Sequence, residues 1–218
     1  MCMLFNSERV QLPRDPNLTG TCNLLLKSRS LPGLLLFIAG AVLLMGIIIA
    51  EIFYPAGYTT AHSEISDLGA TRPPDSVSFQ PSASIFNTTM IVGGLLVLAA
   101  SLIHFWTKTK WYIVLFFALL GAGILGVGLF PGNNAFFHPL FALLTFISGG
   151  LAAIVSFRMT HPPFAYLLAL LGVITLIFLF FSPVFIPILG DGGTERFVAY
   201  PLIIWMIGLG GYLIGKSG

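Results

Sequence analysis

Charge is what this chain has least of. Only 8% of its 218 residues are Asp, Glu, Lys or Arg, against roughly 25% in a soluble domain. That deficit argues against a water-soluble globule, and a mean hydropathy of +0.95 puts the chain in the membrane class. Cysteine is almost absent: Cys2 and Cys22 both precede the first apolar run, so no disulfide framework is expected. Close-spaced metal motifs such as His-x-x-His or His-Glu-x-x-His do not occur. The period-two alternation of a membrane barrel strand is missing as well. Long polar connections are lacking, with a single exception over residues 62–87.

What the chain does have is six apolar runs, over residues 34–53, 86–105, 111–130, 139–157, 164–186 and 197–213. Runs of about 20 apolar residues cross the hydrocarbon core as helices. The expected fold is therefore all-α, a polytopic bundle of six transmembrane helices. A tail over 1–30 precedes a six-span membrane domain over 31–218, whose long loop covers 55–85. The tail carries Glu8, Arg9, Arg14, Asp15, Lys27 and Arg29 without an apolar core, so it does not read as a signal peptide.

Placing the N-terminus in the cytoplasm puts Arg9, Arg14, Lys27, Arg29, Lys108, Lys110, Arg158 and Lys216 inside and leaves Arg72 and Arg196 outside. The positive-inside rule favours that orientation, and six spans then bring both termini to the cytoplasmic face. The long loop becomes extracytoplasmic and the expected location is the plasma membrane. The basic inner rim calls for no partner beyond anionic membrane lipids; nucleic acid is not implied.

Local signals refine this picture. Tyr54 anchors the end of the first span and Pro55 stops it. Ser82 or Ser84 can cap the second span. Pro183 and Pro187 should kink or fray the outer end of the fifth. Residues 190–196, Gly-Asp-Gly-Gly-Thr-Glu-Arg, read as a flexible outer turn with Thr194 capping the sixth span. The third span contains Gly121-Ala-Gly-Ile-Leu-Gly126-Val-Gly128, a dinucleotide fingerprint on paper, but no strand precedes it. Small residues at this spacing let helices approach closely, and that is the reading taken here. Gly149, Gly150, Gly208, Gly210, Gly211 and Gly215 read the same way. Such faces also offer a route to a homo-oligomer.

Three outer segments carry the chemistry-bearing residues: the loop with His62, Glu64 and Asp67, the turn with Asn133, Asn134 and His138, and the turn with Asp191, Glu195 and Arg196. Glu51 and Asn87 lie just below. Ionisable residues in or capping spans are costly and are functional candidates for that reason. His138 suits acid–base work near neutral pH, with Glu64 and Asp67 as partners in a catalytic set. Arg196, Glu195, Asn87, His62 and Glu51 form a ligand-binding set. Arg196 at a helix start can hold a phosphate, or it can simply pair with Glu195, Asp191 or Glu51.

His62, His138 and one of Glu64, Asp67 or Glu195 would make a two-histidine, one-carboxylate metal set, but the spacing does not support one and no metal site is assigned. A bis-histidine haem would need His62 and His161 on helices rather than in loops. A hydrolase triad from Ser66 or Ser84, His138 and Asp67 rests on geometry that sequence does not supply. No cofactor is assigned. The spans carry no charge near mid-depth, which weighs against an ion-coupled transporter.

The motifs His62-Ser-Glu-Ile-Ser-Asp-Leu-Gly69, Pro81-Ser-Ala-Ser-Ile-Phe-Asn87, Gly128-Leu-Phe-Pro131 with His138, and Thr194-Glu-Arg196 resemble the prokaryotic six-span membrane family known as domain of unknown function 998. That resemblance implies fold and location and no activity. A fainter likeness, through Ile65-Ser-Asp-Leu-Gly69 and Ile85-Phe86, is to the Frag1/DRAM/Sfk1 membrane proteins, whose relatives are tied to lipid-anchor remodelling, lipid-kinase scaffolding and autophagy. This chain departs from them in His138 and Glu195-Arg196, so only an association with lipid is taken from the likeness.

The leading expectation is a membrane protein that binds, and in its stronger form modifies, a lipid or lipid-linked head group at an extracytoplasmic polar site. The alternatives are a non-catalytic membrane scaffold and a small-solute transporter.

Overall fold

The computed structural model describes residues 30–216. The cysteines of the tail and the rest of residues 1–29 lie outside the described residues. Six helices follow: α1 Ser30–Ile52, α2 Ser82–Trp106, α3 Trp111–Leu129, α4 Phe137–Val155, α5 Phe164–Phe180 and α6 Ser182–Gly215. No strand occurs among the described residues. Five of the helices are long and apolar enough to cross a membrane; α5, with 17 residues, is apolar but shorter. The chain is a helical membrane bundle.

Each helix packs on its neighbours in the chain, and α6 closes the ring against α1. Glycine makes these approaches close. A Cβ on Gly94 would meet the Leu125 backbone, one on Gly123 would meet Thr145, one on Gly126 the Phe141 ring, and one on Gly210 the backbone of Gly33 and Phe37. The glycine stripe of α3 is thus a packing surface, and it is occupied by α2 and α4 of the same chain. In the middle of the ring Phe117 of α3 meets Trp205 of α6 edge to face, with ring centres 5.4 Å apart. The indole N–H of Trp205 donates to Ser156 Oγ at 3.0 Å, satisfying the one polar atom of a fully buried side chain.

Four local expectations need correcting. The fifth span ends at Phe180 rather than at residue 186. Pro183 sits in the first turn of a new helical stretch, where its missing N–H and fixed φ are harmless. Residues 191–196 are not a flexible turn but the first helical turns of the membrane-crossing part of α6. The break in that helix is Gly190 alone, at φ 77° and ψ 170°, a conformation that favours glycine. Thr194 does not cap; its hydroxyl donates to the Gly190 carbonyl at 2.8 Å. Neither Ser82 nor Ser84 caps α2. Ser82 donates to the Leu68 carbonyl at 3.3 Å, and Ser84 is bonded to Gln80.

Candidate functional site

The long loop is seated by its own backbone on the start of α6. Gly193 N–H donates to the Ala61 carbonyl at 3.0 Å. A Cβ on Gly190 would stand 2.1 Å from that same oxygen, and one on Gly192 would stand 2.0 Å from the Ser63 carbonyl. Only bare backbone lets the loop sit so low. Gly132, in the α3–α4 turn, does the same for Ala70: a Cβ there would lie 2.0 Å from its carbonyl. The glycines therefore bring the three polar segments to one end of the bundle.

Arg196 fastens the seat. Its Nη1 donates to the carbonyls of Thr60, Ser63 and Gly192, each at 2.9 Å. Its Nη2 donates to Glu51 Oε1 at 2.6 Å and to the Tyr58 hydroxyl at 2.7 Å. The Tyr58 hydroxyl in turn donates to the Glu64 carbonyl at 3.1 Å, and burial holds that phenol above its usual range. Both terminal nitrogens of Arg196 are thus given to the protein. Of the two readings open from sequence, phosphate contact or pairing, the guanidinium here pairs with Glu51.

With the loop seated, the main chain of Ile65 and Ser66 presents its N–H groups to the Glu195 carboxylate. Glu64 is clamped by Arg72, with Nη2 2.6 Å from Oε2. Asp67 Oδ2 accepts the Glu64 N–H at 2.9 Å and closes the short 3-10 turn Ser66–Leu68. Burial pushes the carboxyls of Glu64 and Asp67 above the usual range, against the pull of Arg72 on both and of the accepted N–H on Asp67.

His138 opens α4 and is 5% exposed. Its Nδ1 lies 2.8 Å from the Phe130 carbonyl. A carbonyl only accepts, so Nδ1 carries the proton and Nε2 of the neutral ring holds a lone pair. Nε2 has no hydrogen-bond partner among the described residues. Asn134 Oδ1 accepts the N–H groups of Phe136 and Phe137 and sets the start of the helix.

Two voids meet at these residues. The larger, about 510 Å³, lies between α4 and the α5–α6 hairpin. Glu64, Arg72, His138, Asp191 and Glu195 line its polar end, and Leu143, Phe146, Leu179, Ile186 and Val198 its apolar walls. Leu143 is 47% exposed, so this cleft reaches the outer surface of the bundle. The smaller void, about 80 Å³, sits inside the ring among Leu43, Met90, Ile124 and Leu202. Ser66, His138, Ala142, Phe146 and Glu195 line both.

Of the residues singled out in the sequence, Glu64, His138, Asp191 and Glu195 share the cleft, with Asp67 within electrostatic reach of His138 and Arg72. Glu51 and Arg196 form the clasp behind it. His62 is exposed over Gly190 and does not line the cleft. Asn87 is turned against Gly69, where the missing Cβ makes room for its Oδ1. Among the described residues no three His, Cys, Asp or Glu side chains are grouped to hold a metal. His62 and His138 are not brought together. Ser66 and His138 share a lining, but no hydrogen bond joins them, and Ser84 lies elsewhere.

Sequence reasoning passed over Tyr58 and Arg72. Arg72 had a signal, as one of only two basic residues that the charge count separates from the other eight. Tyr58 had none, because its role depends on the loop folding back over Glu51.

Residues 37–212 match the family model described as "Protein of unknown function (DUF998)". All four motifs that carried the resemblance fall inside that match. No curated protein and no solved structure matches the chain.

Proposed function

The chain belongs to the DUF998 family, and we propose that it binds a lipid or lipid-linked amphiphile in the cleft between α4 and the α5–α6 hairpin. One observation carries the proposal: a single cleft has ionisable groups at one end, apolar walls along the rest, and a flank open at the surface of a membrane bundle. That division matches an amphiphile, whose tail gains by leaving water and whose polar group needs partners. The head group meets Glu64, Arg72, His138, Asp191 and Glu195, and the chains lie along Leu143, Phe146 and Leu179. Arg196 acts by holding the loop in place and does not touch the ligand. On the charge count of the connections, the loop faces away from the cytoplasm, and the membrane proposed is the plasma membrane.

Purification in mild detergent followed by native mass spectrometry tests the proposal. Wild type should retain one lipid per chain, and Leu143→Trp, which fills the cleft from an exposed position, should lose it. A wild-type protein with no retained lipid, or equal retention by both, would put the non-catalytic scaffold ahead.

A chemical step on the bound lipid is the second reading, favoured by His138, which lines the cleft and whose Nε2 makes no hydrogen bond among the described residues. It predicts that the wild type alters the lipid it retains and that His138→Gln binds without altering it.

A further inference from the structure

Resting on the cleft reading, we infer that the small void inside the ring is the far end of the same site. It receives the end of one hydrocarbon chain of the bound amphiphile through the seam between α4 and α6. Ser66, His138, Ala142, Phe146 and Glu195 line both voids, so a single layer of side chains parts them. The seam is the loose side of the ring. Elsewhere glycine draws the helices together beside the void. Gly93 against Leu43 joins α2 to α1, Gly94 against Leu125 joins α2 to α3, and Gly123 against Thr145 joins α3 to α4. α1 and α6 approach at Gly40, where a Cβ would stand 2.7 Å from Ile207. α4 and α6 touch far less, and α5 packs against both.

The chemistry of the seam changes with depth. His138, Ala142 and Phe146 follow at four-residue intervals on one face of α4, each about 6 Å deeper than the last. Glu195, Ala199 and Leu202 descend α6 in the same way. The ionisable groups stand at the outer end, and below them Ala142 and Ala199 leave a passage walled by hydrocarbon. The one hydroxyl deeper in that lining, on Thr145, is spent on the Phe141 carbonyl at 2.8 Å. Ile65 and Ser66 roof the chamber, their N–H groups on the Glu195 carboxylate. At the floor Leu202 fills the notch at Gly149, where a Cβ would stand 2.6 Å from it. The void of about 80 Å³ is roughly half the size of an apolar cavity that holds benzene. It therefore takes the last few carbons of a chain and no head group. A chain end supplies the dispersion contacts that an empty lining forgoes, and the pliable side chains of Met90 and Met206 can adjust to it. Ala142 sets access, and Leu202 sets how far the chain reaches.

The test is photolabelling from the chain end. Purified full-length protein in mild detergent is loaded with an equal mixture of phosphatidylethanolamine and phosphatidylglycerol whose acyl chains end in a diazirine. After irradiation the adducts are mapped by peptide mass spectrometry. Wild type should carry adducts on Met90, Ile124 or Met206, which line the chamber and not the cleft. Ala142→Leu, which narrows the passage, should lose these and keep adducts on Leu143 and Leu179 in the cleft; the retained set also reports an intact fold. Leu143→Trp should lose both sets. Wild-type adducts on Leu143 and Leu179 alone, or chamber labelling unchanged by Ala142→Leu, would overturn the inference and leave the cleft reading standing. Absence of adducts from both sets in wild type would overturn both.

Discussion

Arg196 of α6 and Glu51 at the end of α1 meet at 2.6 Å, with side chains 10% and 23% exposed. This pair joins the last helix to the first, and the same guanidinium holds three carbonyls, two of them in the loop between α1 and α2. Removing one partner of a buried pair leaves an uncompensated charge and costs about 3–5 kcal/mol. Arg196→Ala should therefore lower the melting temperature in detergent sharply. Arg196→Lys should rescue little of it, because an ammonium cannot reproduce the planar fork that spans Glu51, Tyr58 and the carbonyls. Glu51→Gln should cost less than Arg196→Ala, since the loop carbonyls remain bonded. Equal melting temperatures for wild type and Arg196→Ala would remove the clasp from the account.

The seat of the loop depends on two missing methyl groups. Gly192→Ala places a Cβ 2.0 Å from the Ser63 carbonyl, so the loop must lift; overpacking of this kind costs about 1–3 kcal/mol. Gly215→Ala, with nothing within 4 Å of its Cβ, should stay within about 0.5 kcal/mol of wild type. Limited proteolysis of the loop over 55–63 gives a second readout, with cleavage expected to be faster in Gly192→Ala alone.

Acid should help rather than harm the loop carboxyls. Glu64 and Asp67 are raised by burial, so the folded protein holds their protons more tightly than the unfolded chain does. Stability from these groups is present at low pH and is lost as pH rises from the unfolded value through the raised folded value. Asp67→Asn keeps an oxygen for the Glu64 N–H and removes the titration. Its melting temperature should change less with pH above about 4 than that of wild type. Parallel curves would show that Asp67 does not titrate in this way.

Orientation is open to direct labelling. In a background with Cys2 and Cys22 replaced by serine, Asp191→Cys should react with a membrane-impermeant thiol reagent in intact cells. Lys110→Cys, exposed at the opposite end of the bundle, should react only after permeabilisation. The reverse pattern would invert the topology.

Much of the architecture was legible because span formation is a local property. Twenty apolar residues next to a lipid phase have one low-energy solution, and α1 to α4 begin and end within a few residues of the hydrophobic runs. Legibility failed at α5 and α6, where apolarity continues past residue 180 and cannot mark where one helix stops. Phe181 and Gly190 make those breaks through backbone conformation. Residues 190–196 looked like a turn because glycine and charge usually mean one. Here the glycines exist so that another part of the chain can lie on them.

By itself, then, the sequence determined that this is an α-helical membrane protein with its polar residues gathered at loop ends, since burial of apolar surface and the expense of charge in lipid leave no other arrangement. Tertiary structure decided which polar residues work together. It assigned Arg196 and Glu51 to a clasp and His138, Glu195, Asp191 and Arg72 to a cleft. Those assignments depend on contacts across up to 145 positions of chain, and hydrogen-bond partners at that range are set only when the ring of helices closes.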